Sequence, residues 1–324
     1  MTARLVILVT SPRTAPGLLT RDAWLAVGDA DAVWGVVEEP QSQALFEAGV
    51  VVEPHDRSDP AGLARDLVSA TATATADIVW VGSSDGDPGL SEAIAVEVTR
   101  LPEPPEVELL VGSFDVPGSR LLDVVAVMDR LRSPGGCPWD AEQTAQSLVP
   151  YLLEETHEAI EAIESGDHDH LREELGDLLL QVAFQSRVAQ EHESEPFGID
   201  EVAGGLVEKL VRRHPHVFAG VEAADAAAVE VNWDSIKAQE KPHRTQPLDG
   251  VPPSLPALAR AQKVVSRLEK AGRVDLLDAL ASSEGVGGEL LRVVRQARSA
   301  GFDAEGELRR LLRRLEQAAS DSPA

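Results

Sequence analysis

The sequence predicts an α+β multidomain protein: a small α/β domain first, then an all-α helical bundle, then a further helical region. Three observations carry this. Short β-branched runs alternate with helical stretches over the first hundred residues, a proline-rich acidic segment follows, and from residue 121 the text is almost wholly helical.

In the first section, residues 5–9, 33–37, 50–52 and 78–81 are the expected strands. The last three are short, rich in Val and Ile, and bounded by polar residues or Gly and Pro. Residues 23–30, 41–48 and 61–72 are the helices between them, so the sheet is expected to be mostly parallel. The segment Leu101-Pro-Glu-Pro-Pro-Glu-Val-Glu, followed by Val116-Pro-Gly-Ser, is taken as a link and places a domain boundary after residue 116.

Helices are expected next at 121–131, 148–165, 170–190, 199–213 and 225–240. The first stops at Ser133-Pro-Gly-Gly-Cys-Pro, the second at Ser165-Gly166 and the fourth at His214-Pro215. A linker, Lys241-Pro-His-Arg-Thr-Gln-Pro, precedes a last helical section from 256 to about 317, broken near Gly272 and Gly301. The expected domains are therefore 1–116, 117–241 and 242–324.

Composition narrows the function. Of 324 residues, 43% are hydrophobic, enough for a packed core and against wholesale disorder. The formal charge of −26 argues against general nucleic-acid or anionic-membrane binding, since both need a basic surface. A single cysteine excludes a disulfide framework and a cysteine-rich zinc site. The first strand is too short for a membrane span or signal peptide, so a soluble cytoplasmic protein is expected.

The chemistry concentrates in Glu154-Glu155-Thr156-His157-Glu158 and, fifteen residues on, Glu174-Leu175-Gly176-Asp177. On a helical wheel with ~100° per residue, Glu155 sits at the edge of the core face and Glu158 ~60° further out. Glu154, Glu161 and Glu164 point to solvent. The next helix is apolar on nearly every side, with Glu174 and Asp177 between its two apolar arcs, which predicts a buried helix. Buried carboxylates need cations. Two i,i+3 acid pairs on facing helices form an all-oxygen cage, which favours Mg²⁺, or Mn²⁺ as substitute, over Zn²⁺. His157 points off the acid face. Every lysine lies at or after Lys209. Lys209 and Arg213 share a helix face at i,i+4, as do Trp233 and Lys237, and cations with an indole face suit phosphates and a base.

These acids, with the blocks Leu131-Arg-Ser-Pro-Gly-Gly-Cys-Pro-Trp-Asp140, Lys209-Leu-Val-Arg-Arg-His-Pro-His-Val-Phe218 and Asn232-Trp-Asp-Ser-Ile-Lys-Ala-Gln-Glu-Lys241, resemble the MazG branch of the all-α nucleoside triphosphate pyrophosphohydrolases, continuously over about residues 121–262. The resemblance implies Mg²⁺-dependent hydrolysis of an NTP or dNTP to the monophosphate and pyrophosphate, as house-cleaning of nucleotide pools. It implies metal ligands Glu155, Glu158, Glu174 and Asp177, with Glu154 in the outer shell or positioning water. It places Lys209, Arg213, Trp233 and Lys237 at the nucleotide, with Arg212, Glu240 and Lys241 as lesser candidates. A two-helix cage does not cover a nucleotide alone, so a homodimer is expected.

Val286-Gly-Gly-Glu-Leu-Leu-Arg-Val-Val294 resembles the second acid block of a second MazG copy, but Val286 stands where the first acid should be. Residues 255–318 therefore read as a degenerate, non-catalytic copy. Pro16-Gly-Leu-Leu-Thr-Arg-Asp-Ala-Trp24 and Asp85-Gly-Asp-Pro-Gly-Leu90 faintly resemble tetrapyrrole methylases. The Gly-rich loop expected after the first strand is instead Thr10-Ser-Pro-Arg-Thr, so no methyl transfer is expected. Two rival readings stay open: a non-enzymatic nucleotide-sensing or partner-binding regulator, and a methyltransferase with a helical appendage.

Overall fold

The computed structural model describes residues 3–220 and 245–321, and between them Asp225, Val229, Trp233, Ile236, Lys237 and Glu240. The chain divides between Gln143 and Thr144 into two compact units.

The first unit is built on five parallel strands: β1 (Arg4–Val9), β2 (Ala32–Gly35), β3 (Val52–Pro54), β4 (Ile78–Val81) and β5 (Glu106–Val111), in the order β3-β2-β4-β1-β5. The helices between them are α1 (Arg21–Gly28), α2 (Pro40–Glu47), α3 (Pro60–Thr73) and α4 (Leu90–Arg100). β1 is apolar on both faces because both are covered. Leu5 and Ile7 pack with Leu63 and Leu67 of α3 and Ile94 of α4. Val6 and Leu8 pack with Ala23 and Val27 of α1 and Leu45 of α2.

Two elements depart from the sequence expectation. α4 forms where the sequence pattern marks no element, and β5 lies inside the proline-rich acidic segment. β5 is the sheet's edge: Val107, Leu109 and Val111 are 37–67% exposed. An edge strand tolerates acids that a central strand would not. Arg4 Nη1 meets Glu108 Oε2 at 2.6 Å and Arg4 Nη2 meets Asp77 Oδ2 at 2.6 Å, so β1 neutralises acids on both sides. β2 is also shorter than expected, ending at Gly35, and β3 begins at Val52 rather than at 50.

The unit closes with α5 (Arg120–Arg132) and α6 (Pro138–Glu142). Arg13, 13% exposed, holds Asp115 at 2.8 Å and Asp123 of α5 at 2.7 Å. This ties α5 to the loop after β1.

The second unit opens with α7 (Val149–Ser165) and α8 (His168–Ala189), a hairpin joined by Gly166 and Asp167. Gly166 has φ +76°, a conformation open to glycine, and ends α7. Asp167 caps α8, accepting from the Asp169 and His170 N–H groups at 3.0 and 3.1 Å. α9 (Ile199–Arg213) packs on α8 and ends before α10 (Pro215–Phe218). The helix expected over 225–240 and the candidate Lys241 lie largely or wholly outside the described residues. The last section forms α11 (Ala257–Lys270), α12 (Val274–Ala281), α13 (Val286–Ser299) and α14 (Ala304–Asp321). Its breaks include Gly272 (φ +70°) and Gly301 (φ +81°), and a further one precedes α13 at Gly285.

Candidate metal centre

Because α7 and α8 form a hairpin, acids one turn apart on each helix can converge. Glu155 and Glu158 of α7 and Glu174 of α8 each offer a carboxylate oxygen, and these oxygens all lie within 4.8 Å of one another. Three negative charges at that spacing repel. Burial, then Asp177, Glu158 and Glu174, push the Glu155 carboxyl above the usual range. Burial, then Glu158, push Glu174 up as well, with His170 opposing and Asp177 adding. Asp177, one turn along α8 and half-buried, thus belongs to the same field though it stands outside the closest triad. Glu154 is exposed and acts on Glu155 through its charge only.

Glu174 is 6% exposed, and its Oε2 is buried with no hydrogen-bond partner among the described residues. A buried, ionisable oxygen with no donor is costly unless a cation meets it. The surrounding donors are all carboxylate oxygens, which fit a hard divalent ion. The residues present therefore fit a Mg²⁺-type site.

Two contacts are added by the structure. His170 Nε2 sits 3.0 Å from Glu174 Oε1, an i,i+4 pair on α8 whose spacing alone was signal enough. Glu164, expected to face solvent, is instead 12% exposed and paired with Arg309 at 2.9 Å and with Arg313. Helical periodicity gave its angle but not the neighbour that α14 supplies.

The burial expected for α8 is also incomplete within one chain. Leu175, Leu180 and Val182 are 38–52% exposed. The wheel registers apolar character on each side but not whether the same chain covers it.

Among the cations, Arg213 is held by Glu240, and Arg212 Nε meets the same carboxylate at 2.8 Å. Arg213's hydrogen bonds first, then Arg212's, pull Glu240 down to about 2. Lys209, on the same helix as Arg213, is half-buried and has no acidic partner among the described residues. Trp233 is 39% exposed, with His214 edge-on at a ring separation of 5.4 Å. Lys237 lies one helical turn beyond Trp233.

A crevice of about 680 Å³ opens in the first unit at the carboxyl ends of β2, β3 and β4. Its wall carries Glu38, Asp56, Asp85 and Asp87. Its guanidinium, Arg57, is already engaged by Asp85, Ser83 and Glu39.

Residues 143–218 match the model of the MazG nucleotide pyrophosphohydrolase domain. The chain is 49% identical over 230 residues to an uncharacterized 26.1 kDa protein of Streptomyces cacaoi, spanning 71% of this chain and 93% of that protein. It is 46% identical over 204 residues to a nucleoside triphosphate pyrophosphohydrolase of Mycolicibacterium smegmatis, spanning 62% of this chain and 58% of that one. It is also 46% identical over 152 residues to a nucleoside triphosphate pyrophosphohydrolase of Escherichia coli K12, spanning 46% of this chain and 57% of that one. The chain thus covers less than two thirds of these two relatives that bear the activity's name.

Proposed function

The chain belongs to the MazG family of nucleotide pyrophosphohydrolases, and from that premise we propose that it hydrolyses nucleoside triphosphates to the monophosphate and pyrophosphate at the α7–α8 acid cluster with Mg²⁺. The observation that carries the reading is the buried Glu174 Oε2 without a hydrogen-bond partner among the described residues, on a carboxylate that brings one oxygen within 4.8 Å of those of Glu155 and Glu158. Glu155, Glu158, Glu174 and Asp177 would hold the metal, and Glu154 the outer shell. When bound, divalent ions supply Lewis-acid polarisation of the α-phosphoryl oxygen and a water of lowered pKa.

The chain's own residues do the rest. The four carboxylates would hold the ions from two helices joined by a two-residue turn, which brings Glu155, Glu158 and Glu174 together before any ion binds. Lys209 and Lys237 would fix phosphate oxygens, joined by Arg213 on exchanging its Glu240 partner for phosphate, and Trp233, 39% exposed, would stack on the base or sugar. Water adds across the α–β anhydride: its oxygen ends on the α-phosphorus, and pyrophosphate leaves.

The exposed apolar residues of α7 (Leu152, Leu153), α8 (Leu175, Leu180, Val182) and α9 (Leu206, Leu210) support a homodimer that completes the bundle. The catalytic region is 117–241, with 1–116 and 242–324 outside the chemistry. No helix among the described residues is long and apolar enough to cross a membrane. A nucleoside triphosphate substrate places the proposed role in nucleotide pools of the cytoplasm, damaged nucleotides included.

A panel of normal and oxidised NTPs and dNTPs with Mg²⁺ tests this. Monophosphate and pyrophosphate are expected; diphosphate and orthophosphate would place the cleavage at the wrong bond.

A further inference from the structure

Glu174 is the most buried member of the acid cluster, and its two oxygens have different surroundings. Oε2 is buried without a hydrogen-bond partner among the described residues, while Oε1 lies 3.0 Å from His170 Nε2. His170 is itself pinned. It sits in the first turn of α8, where Asp167 Oδ1 accepts its backbone N–H at 3.1 Å. Its ring reaches down one turn of the helix, and its side chain is 39% exposed against 8% for Glu174.

The consequence is geometric. A glutamate side chain has three rotatable bonds, and the like charges of Glu158 and Asp177 oppose its place in the cluster. A partner 3.0 Å from Oε1 restricts that freedom and keeps the carboxylate beside those of Glu155 and Glu158. Partners that hold a ligating carboxylate raise metal affinity by orienting it, and their loss costs about 10–100-fold.

We propose that His170 is a positioning residue of the metal centre: through its Nε2 contact with Glu174 Oε1 it holds the Glu174 carboxylate beside those of Glu155 and Glu158, and so sets the affinity for the divalent ion. The sequence Asp167-x-x-His170-x-x-x-Glu174 carries the whole device: cap, contact residue and ligand in two turns of one helix. It rests on the reading of the acid cluster as a metal site, and the experiment separates the two.

Mn²⁺ is titrated into the full-length protein by calorimetry, without nucleotide and at fixed pH. His170→Ala should weaken Mn²⁺ binding about 10–100-fold with unchanged far-UV helicity. His170→Gln, whose amide Nε2 keeps an N–H donor at similar reach, should recover most of that loss. His170→Leu, similar in size but without a donor, should not. Unchanged or tighter Mn²⁺ binding in His170→Ala, or equal binding by the Gln and Leu variants, overturns the proposal. Glu174→Gln is the control for the underlying site. If it retains full Mn²⁺ affinity, the metal-site reading fails; if it loses binding while His170→Ala does not, only the positioning role fails.

Discussion

Glu164, in the last turn of α7, accepts hydrogen bonds from Arg309 of α14 at 2.9 and 3.3 Å, across 145 residues of sequence. Arg313 joins the same carboxylate. The C-terminal helix α14 therefore acts as a brace on the helix that carries Glu155 and Glu158.

Removing that brace should cost stability rather than catalysis. Arg309→Ala leaves Glu164 with one partner and should lower the unfolding free energy by about 1–2 kcal/mol, read from urea midpoints. kcat/KM per folded molecule should stay within about twofold, since neither residue belongs to the proposed site.

The same pair carries a pH dependence. Arg309's hydrogen bonds, the largest cause, and then Arg313's hold the Glu164 carboxyl below its ordinary range. A carboxylate depressed in the folded state contributes stability above its unfolded pKa of about 4.3, and this is lost as pH falls through the folded value. The gap in urea midpoint between wild type and Glu164→Gln should therefore be full at pH 7 and shrink below about pH 4. A gap that stays constant to pH 3 would assign Glu164 a role other than ion pairing.

Glu174→Gln and Asp177→Asn each delete one ligand charge from the cluster. Both should abolish turnover with far-UV helicity intact. In the wild type, Mg²⁺ at a hundredfold excess over its Kd should add about 2.7 kcal/mol of stability, and thermal melts should show this shift lost in both variants. Glu158→Asp moves a ligand without deleting its charge, so extra Mg²⁺ should partly restore its rate.

Lys237→Ala and Arg213→Ala remove phosphate contacts instead. Each should lower kcat/KM by roughly ten- to a hundredfold, the loss of about 1.5–3 kcal/mol for a charge-assisted contact, and added Mg²⁺ should not rescue either. Rescue by Mg²⁺ would move these residues to the metal centre.

S-adenosylmethionine should not bind the full-length chain by calorimetry. The loop after β1 lacks the glycines for close cofactor approach, and its groups are already engaged: the Ser11 N–H donates to Ser113 Oγ at 2.8 Å, and Arg13 holds Asp115 and Asp123. Micromolar binding would revive the methylase reading.

Local periodicity made much of this protein legible in its sequence. The i,i+3 acids fell on two helices, α9 was delimited by His214-Pro215, and the α7–α8 turn was marked by Ser165-Gly166, because helix phase and its punctuation depend on near neighbours. The His170–Glu174 pair was legible by the same rule, at i,i+4. What only the tertiary structure decided are the relations between residues far apart in the chain. β5 became a strand because β1 offered it an unpaired edge in register, Leu5 opposite Val107. Glu164 left the solvent because α14 lies against it. Glu174 alone among the close acids lost its water on one oxygen, while Leu175 beside it kept its exposure. Spacing sets the direction in which a side chain leaves its helix; what it meets there, and whether water reaches it, follows from how distant segments pack.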